Sequence, residues 1–482
     1  MGSGELKVKV ARGVAWSIGE KVGTMLLQMG VSIVVLRLLT REDFGLVAIL
    51  TVFSTFALVV VDSGFSQTLV RRTAPGQEDF KSVFLFNVAV SVVLYLLLVA
   101  ASPFVAHYYG MPELTALAPV FFLLLPVNAL CVIQQTLFTR QFRFALLSKV
   151  TFLSSLAGGL TAIALAMAGW GIWSLVAERV IAVGMRTALL WWLSDWRPCG
   201  KCGLKPLREM APFGCSLMVT DLISNFYNKI PQFFLGKLYS PAVLGSFDQA
   251  VKLKDMPAAT GIQAVQNVTF PALAKIRDDA PRFAEGYRQV VMVVSYVMFP
   301  IMLGMSAVAR DMFAVLLGEE WMPTVPYFEA VCLAGLFSPI ALTAYNVLKA
   351  RCKGPLIVRL EVVKKIIMTA IFAVTIPHSV MAVVWGLVAI AFCEMAVNFL
   401  ATTRFTSLTF RRFVRTLLPV ALVSGTMYLL VRLTAAAIPG NDLVRLLAEL
   451  ATGVVSYLAL SALFRLEAFR EVTTIVRRQL KK

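Results

Sequence analysis

The chain has 482 residues, of which 59% are hydrophobic and only 15% are charged, and its mean hydropathy is +0.79. Soluble globular domains contain about 45–50% apolar residues, so this composition excludes a soluble protein and indicates a polytopic membrane protein. The formal net charge of +18 is typical of loops that meet anionic lipid on one side of a membrane, and it requires no nucleic-acid partner.

The first predicted transmembrane helix, residues 12–38, carries polar residues within an otherwise apolar stretch. Ser17, Lys21, Thr24 and Gln28 lie four, three and four residues apart, so they share one face of a helix. Such a stripe either faces a water-filled cavity or packs against neighbouring helices. No cleavage site of small residues follows, so we expect this helix to be retained rather than removed as a signal peptide.

Apolar runs of about 17–25 residues predict an all-α fold with about fourteen transmembrane helices. Six lie in the first half, near 12–38, 44–70, 80–105, 114–138, 146–168 and 170–193. Six more lie near 210–238, 242–272, 285–309, 322–348, 356–377 and 379–403, and a final pair lies near 414–434 and 441–464. These runs predict an N-terminal lobe at 1–205, a C-terminal lobe at 206–405, and a segment 406–482 with the last pair and a basic tail.

Lysine and arginine are unevenly distributed between alternate loops. If the N terminus is inside, most of the 45 basic residues fall in inner segments and few fall outside. The excess of basic residues falls in every second loop, and one missed helix would reverse this pattern in all the loops that follow. It therefore supports the predicted span count and places both termini in the cytoplasm.

An internal repeat relates the two halves of the chain at an offset of two hundred residues. Residues 36–50 align with residues 236–250, with matches between Leu38 and Leu238, Thr40 and Ser240, Phe44 and Leu244, and Gly45 and Gly245. The second copy has its own polar stripe at Asp221, Asn225, Asn228 or Lys229, and Gln232. Two similar halves with polar stripes predict two lobes that face one central site.

Ionisable residues inside the predicted spans are the candidate functional residues. Each would cost about 2.5–3.5 kcal/mol or more at a lipid-facing helix centre, so we expect them to face inward and to pair or meet a ligand. Basic groups suit a diphosphate, whereas acidic groups that change protonation suit coupling to H⁺ or Na⁺. The candidates for substrate binding are Lys21, Gln28, Arg179, Asn225, Lys229 and Lys252, and those for ion coupling are Glu20, Asp62, Asp221 and Glu394. A purely structural ion pair between Lys21 and Asp62 is an alternative.

No catalytic residue, cofactor or metal ligand is expected. The loops are short, and the CGKC motif at 199–202 has no second ligand pair or nearby histidine. Its two thiols are therefore interpreted as reduced and inert.

Three motifs resemble the Wzx-type polysaccharide flippases, and in particular the WzxC-like branch of the multidrug/oligosaccharidyl-lipid/polysaccharide exporter superfamily. They are WSIGEKVG at 16–23, LLTREDFGLVAI at 38–49 and VDSGFSQTLVRR at 61–72. The resemblance implies two pseudo-symmetric six-helix lobes, followed by a C-terminal helix pair, around a central cavity that opens alternately to each side. A cationic cavity in such proteins corresponds here to Lys21, Arg179, Lys229 and Lys252, although this chain adds acidic residues.

The implied substrate is a polyprenyl-diphosphate-linked oligosaccharide, moved from the inner to the outer leaflet of the bacterial cytoplasmic membrane for surface polysaccharide biosynthesis. Membrane lipids, a polysaccharide polymerase and export machinery are the expected partners. A multidrug or cation antiporter and a lipid II flippase of the same superfamily are alternatives. A membrane enzyme is a further alternative, but it would need large catalytic loops or a buried reactive residue, so we expect no enzyme.

Overall fold

The computed structural model describes residues 23, 25–73, 75–200, 202–257, 280–351, 354–406, 408–471 and 473. Its regular secondary structure is entirely helical within these residues, which confirms the all-α prediction. The helices of the first half are α1 (Met25–Leu38), α2 (Arg41–Asp62), α3 (Phe65–Arg71), α4 (Gln77–Tyr109), α5 (Glu113–Phe122), α6 (Leu124–Arg140), α7 (Phe144–Met167), α8 (Trp173–Leu193), α9 (Leu204–Leu238) and α10 (241–257). Those that follow are α11 (Ala280–Ala307), α12 (Ala309–Leu316), α13 (Val325–Arg351), α14 (Gly354–Thr375), α15 (Val380–Thr402), α16 (Phe410–Ala437) and α17 (Asp442–Leu463), with a 3₁₀ turn at Glu319–Thr324.

Nine helical segments in the described part of the chain are long and apolar enough to cross a membrane. Each of the other five predicted spans coincides with a helix that is described in whole or in part. Helices α1 and α10 are short within the described residues, and α8, α9 and α14 each carry three or more charged residues. The multi-pass membrane fold is therefore confirmed, whereas the count of fourteen stays a prediction.

The chain forms two compact units, residues 1–248 and residues 249–482. In the first unit α2 packs along α9, α4 packs on α5, α6 and α9, and α7 pairs with α8. A core cluster that includes Phe65, Phe84 and Trp196 is formed by α3, α4, α6, α9 and the segment that follows α8. Trp196 is buried there and donates its indole N–H to Gln77 Oε1 at 2.7 Å.

The second unit is built around α13 and α11. Helix α13 packs between α11 and α15, and α16 packs between α11 and α17. Phe399 and Phe413 stack in its core with ring centroids 3.9 Å apart, and the Tyr457 hydroxyl donates to the Tyr296 carbonyl at 2.6 Å. The predicted boundaries near residues 205 and 405 stay a prediction.

The threonine and aspartate of the TRED sequence fix the start of α2. Thr40 accepts a hydrogen bond from the Asp43 amide at 3.3 Å, and the Asp43 carboxylate accepts from the Thr40 amide at 3.0 Å. This reciprocal capping box satisfies amide groups that the first helical turn leaves without partners.

Arg140, at the end of α6, holds the end of the short helix α3. Its guanidinium donates to the carbonyl oxygens of Val70 at 3.0 Å and Arg72 at 2.7 Å, and it also donates to the Leu69 carbonyl. A positive group at a helix C terminus satisfies carbonyls that have no partner within the helix.

Replacing Arg140 with Ala is expected to lower the free energy of unfolding by about 2 kcal/mol, because it removes charge-assisted hydrogen bonds to three carbonyls. Arg140→Lys keeps the charge but not the planar donor geometry, so a smaller loss is expected. The measurement is the thermal unfolding midpoint of the purified protein in detergent. Arg404→Ala, at an exposed position, is the control, and equal midpoints for the Arg140 and Arg404 variants would contradict this account.

Candidate functional site

The span that contains α2 and α3 is interrupted in its interior. Ser63 and Gly64 both adopt left-handed backbone conformations, with φ of 46° and 67°. The break packs tightly on α9, since a Cβ added to Gly64 would lie 2.4 Å from the Gly214 carbonyl oxygen. Conversely, a Cβ on Gly214 would lie 2.9 Å from the Ser63 carbonyl oxygen. Only glycine at both positions permits this approach, and interrupted membrane helices of this kind commonly border ion and substrate sites.

Asp62 is the last residue of α2 and lies at this break. Its carboxylate accepts a hydrogen bond from the Ser66 hydroxyl, and it is repelled by the carboxylate of Asp221 on α9. Asp62 also lies at the negative end of the helix dipole. A proton on either carboxylate, or a cation bound near them, would offset this negative charge. The structure thus brings together two residues that the sequence named as ion-coupling candidates.

Helix α9 displays polar residues along its middle part. Asp221 and Asn228 are exposed there, and Asn225 and Lys229 are partly exposed. The side-chain amide N–H of Asn225 donates to the backbone carbonyl of Asp221 at 2.8 Å. This N–H group is therefore directed at its own helix. Because exposed polar side chains in mid-membrane are costly against lipid, this face is suited to a water-filled space.

Two other predicted substrate ligands lie on different helices of the first unit. Gln28 on α1 is exposed and donates to the Ser155 hydroxyl of α7 at 3.4 Å, which is a weak hydrogen bond. Arg179 is exposed on α8, and within the described residues it forms no salt bridge. Glu20 and Lys21, including the alternative pair of Lys21 with Asp62, lie outside the described residues.

Glu394, the remaining ion-coupling candidate, lies in the second unit on α15. It interacts electrostatically with Lys364, Lys365 and Glu361 of α14. Lys252 of α10 is partly buried in the same unit.

Lys364 was not among the candidate residues, although it lies in the predicted span 356–377. It lies within α14 with only 8% of its side chain exposed, 2.5 Å from Glu361 Oε1. Its ammonium also lies 5.0 Å from the Tyr345 ring centroid, and Lys349 lies 4.4 Å from the same ring. The sequence feature that could have indicated this cluster is the spacing of three residues between Glu361 and Lys364 within an apolar run, because this spacing places both side chains on one face of a helix.

The two copies of the internal repeat meet each other within the first unit. A Cβ added to Gly45 would lie 1.9 Å from the Pro241 carbonyl oxygen, and one added to Gly245 would lie 2.0 Å from the Arg41 carbonyl oxygen. Residues 41 and 241, and 45 and 245, are equivalent in the repeat. The contact is therefore reciprocal, as between two copies related by an approximate two-fold axis.

Comparison with known proteins gives consistent matches. A family model described as polysaccharide biosynthesis protein matches residues 34–326. The chain is 26% identical over 332 residues to the succinoglycan biosynthesis transport protein ExoT of Rhizobium meliloti, covering 68% of this chain and 67% of the relative. It is 21% identical over 365 residues to the lipopolysaccharide biosynthesis protein WzxC of Escherichia coli, covering 74% and 73%. Its fold is similar to the lipid II flippase MurJ in an inward closed conformation, with a TM-score of 0.75 and 13% identity over 95% of this chain and 100% of the other.

Proposed function

Because the chain belongs to this polysaccharide biosynthesis protein family, we propose that it translocates polyprenyl-diphosphate-linked oligosaccharides from the inner to the outer leaflet of the bacterial cytoplasmic membrane. The family match over residues 34–326 is the observation that carries this proposal. The names of ExoT, a succinoglycan transport protein, and WzxC, a lipopolysaccharide biosynthesis protein, point to the same class of substrate. This function requires no enzymatic activity of the chain.

The polar face of α9 suits such a substrate. A sugar diphosphate head cannot cross about 30 Å of hydrocarbon unaided, whereas its lipid tail can remain in the bilayer. Exposed Asp221 and Asn228 offer hydrogen bonds to sugar hydroxyls, and the ammonium of Lys229 offers a charge to the diphosphate. Arg179, Gln28, Lys21 and Lys252 are further proposed substrate ligands.

Ion coupling is part of the same proposal. The carboxylates of Asp62 and Asp221 repel each other at a helix break, so binding of H⁺ or Na⁺ would lower the energy of the conformation in which they are close. Glu20 and Glu394 are further proposed coupling residues. The termini are proposed to be cytoplasmic, and a polysaccharide polymerase and export machinery are the proposed partners.

Cells that lack this protein are expected to lose surface polysaccharide and to accumulate polyprenyl-diphosphate sugars in the inner leaflet. Wild-type protein should restore export, whereas Lys229→Ala should restore about tenfold less, because a lost charge contact to a diphosphate costs about 1.4 kcal/mol or more. The measurements are surface polysaccharide staining and extraction of lipid-linked sugars, with membrane insertion checked by immunoblot.

Lys205→Ala on the same helix is the matched control, since Lys205 is exposed near the start of α9. Full export by Lys229→Ala would remove Lys229 from the substrate path. Unchanged polysaccharide together with altered drug sensitivity in the deletion strain would instead support the antiporter alternative.

A further inference from the structure

A basic cleft lies in the second unit, and none of its lining residues belongs to α14. It has a volume of about 540 Å³ and lies between α11, the beginning of α16 and the segment that follows α17. Its charged lining residues are Glu285, Arg288, Arg412, Arg415, Arg465 and Glu467. Four arginines and two glutamates leave a net charge of +2 in the cleft.

Both glutamates are already engaged with Arg288 at the back of the cleft. The Arg288 guanidinium donates to Glu285 Oε1 at 2.7 Å and to Glu467 Oε2 at 3.0 Å. Hydrogen bonds from Arg288 hold the pKa of Glu467 below its usual range, so this carboxylate stays ionised and fixes the guanidinium.

The other three arginines are only weakly compensated. Arg412 lies 3.8 Å from Glu285 Oε2 and is 59% exposed. Among the described residues, no carboxylate forms a salt bridge with Arg415 or Arg465. Within the described part of the chain, Arg415 and Arg465 therefore have no carboxylate partner, and Arg412 has only the distant one.

The beginning of α16 adds to the positive potential. This helix starts at Phe410, has no acidic residue in its first turn, and has no capping hydrogen bond from the Thr409 side chain. Helix N termini carry a partial positive charge and are usually accompanied by acidic residues. Here Arg411 and Arg412 occupy the first turn instead, and Arg415 lies in the second turn. A bound anion would stabilise this concentration of positive charge.

Exposed apolar side chains lie in the cleft lining or next to lining segments in the sequence. Phe464, which lines it, is 64% exposed, and Phe410, Leu418 and Leu463 are 64%, 51% and 74% exposed. An anion that also carries acyl chains can bind both surfaces at once, whereas a free phosphate can use only the arginines. The combination therefore favours a lipid.

We propose that this cleft binds the phosphate head group of an anionic phospholipid, whose acyl chains lie along the exposed apolar residues of α16 and α17. Arg412, Arg415 and Arg465 contact the phosphate, and Arg288 forms the rigid back of the site. This lipid is a resident ligand and not the transported substrate. Its site lies on the face that the distribution of basic residues predicts to be cytoplasmic.

The test is binding of phosphatidylglycerol to the purified full-length protein, measured by native mass spectrometry and by the rise in thermal unfolding midpoint. Arg412→Gln/Arg415→Gln is expected to weaken binding about tenfold or more, since it removes two of the three guanidinium groups that contact the phosphate. Arg359→Gln/Arg404→Gln is the matched control, because it removes the same charge from exposed positions of the same unit.

Equal loss of binding in the two double variants would overturn the proposal in favour of unspecific attraction. A competition arm distinguishes the source of the phosphate. Phosphatidylglycerol that resists displacement by inorganic phosphate is the expected result. Displacement by inorganic phosphate, with equal stabilisation by that ion alone, would show an anion site that needs no lipid and would likewise overturn it.

Discussion

Replacing Asp62 with Asn is expected to reduce ion-driven transport at least about tenfold while leaving the protein folded. Asn keeps an oxygen that can accept from the Ser66 hydroxyl, but it removes the charge that repels Asp221. Without that repulsion, a proton or cation no longer distinguishes the conformation in which the two side chains are close, so a gradient cannot drive the cycle. The loss corresponds to at least about 1.4 kcal/mol of coupling free energy.

The measurement is the rate at which labelled lipid-linked oligosaccharide reaches the opposite leaflet of proteoliposomes, under a H⁺ gradient, a Na⁺ gradient or neither. For Asp62→Asn the three rates should coincide. Asp195→Asn, at an exposed loop position, should retain the wild-type response to the gradient. A gradient response in Asp62→Asn equal to that of the wild type would exclude Asp62 from coupling.

The helices were predictable from the sequence because the length of an apolar run is a local property. The interruption at Ser63 and Gly64 was not, although the Asp-Ser-Gly sequence was visible within the predicted span 44–70. Glycine is tolerated in continuous membrane helices. What fixes the left-handed pair is the close approach of Gly214, which lies about 150 residues away in the chain.

The residue types of the candidate site were predictable, whereas the proximity of Asp62 to Asp221 was not; the alternative pair of Asp62 with Lys21 lies outside the described residues and stays a prediction. The sequence identified Asp62 and Asp221 separately, and it paired Asp62 with Lys21. Which helices pack together depends on the tertiary arrangement, and the structure places α9 beside α2. Lys364 was missed because its burial depends on contacts with Glu361 and with Tyr345 of α13, which stabilise its charge inside the second unit.

The reciprocal glycine contact gives the second large effect. Gly45→Ala is expected to reduce transport about tenfold, because the new methyl group would lie 1.9 Å from the Pro241 carbonyl oxygen and would force the ends of α2 and α10 apart. Overpacking of this kind costs about 1–3 kcal/mol, which shifts the balance between conformations by about 5-fold to 150-fold. Gly30→Ala is the matched control, since no atom lies within 4 Å of a Cβ at Gly30.

The reciprocity of the contact makes a sharper prediction for the double variant. Gly45 lies against the backbone of Pro241, and Gly245 lies against the backbone of the equivalent residue, Arg41. A single movement of the two helix ends away from each other therefore relieves both clashes. Gly45→Ala/Gly245→Ala should therefore transport at nearly the rate of either single variant rather than at the product of their losses. Surface polysaccharide restored to a deletion strain measures this directly. Multiplicative losses would mean that the two glycines act at independent contacts, whereas coincident losses would mean that the internal repeat has built a single two-fold contact from two copies of one segment.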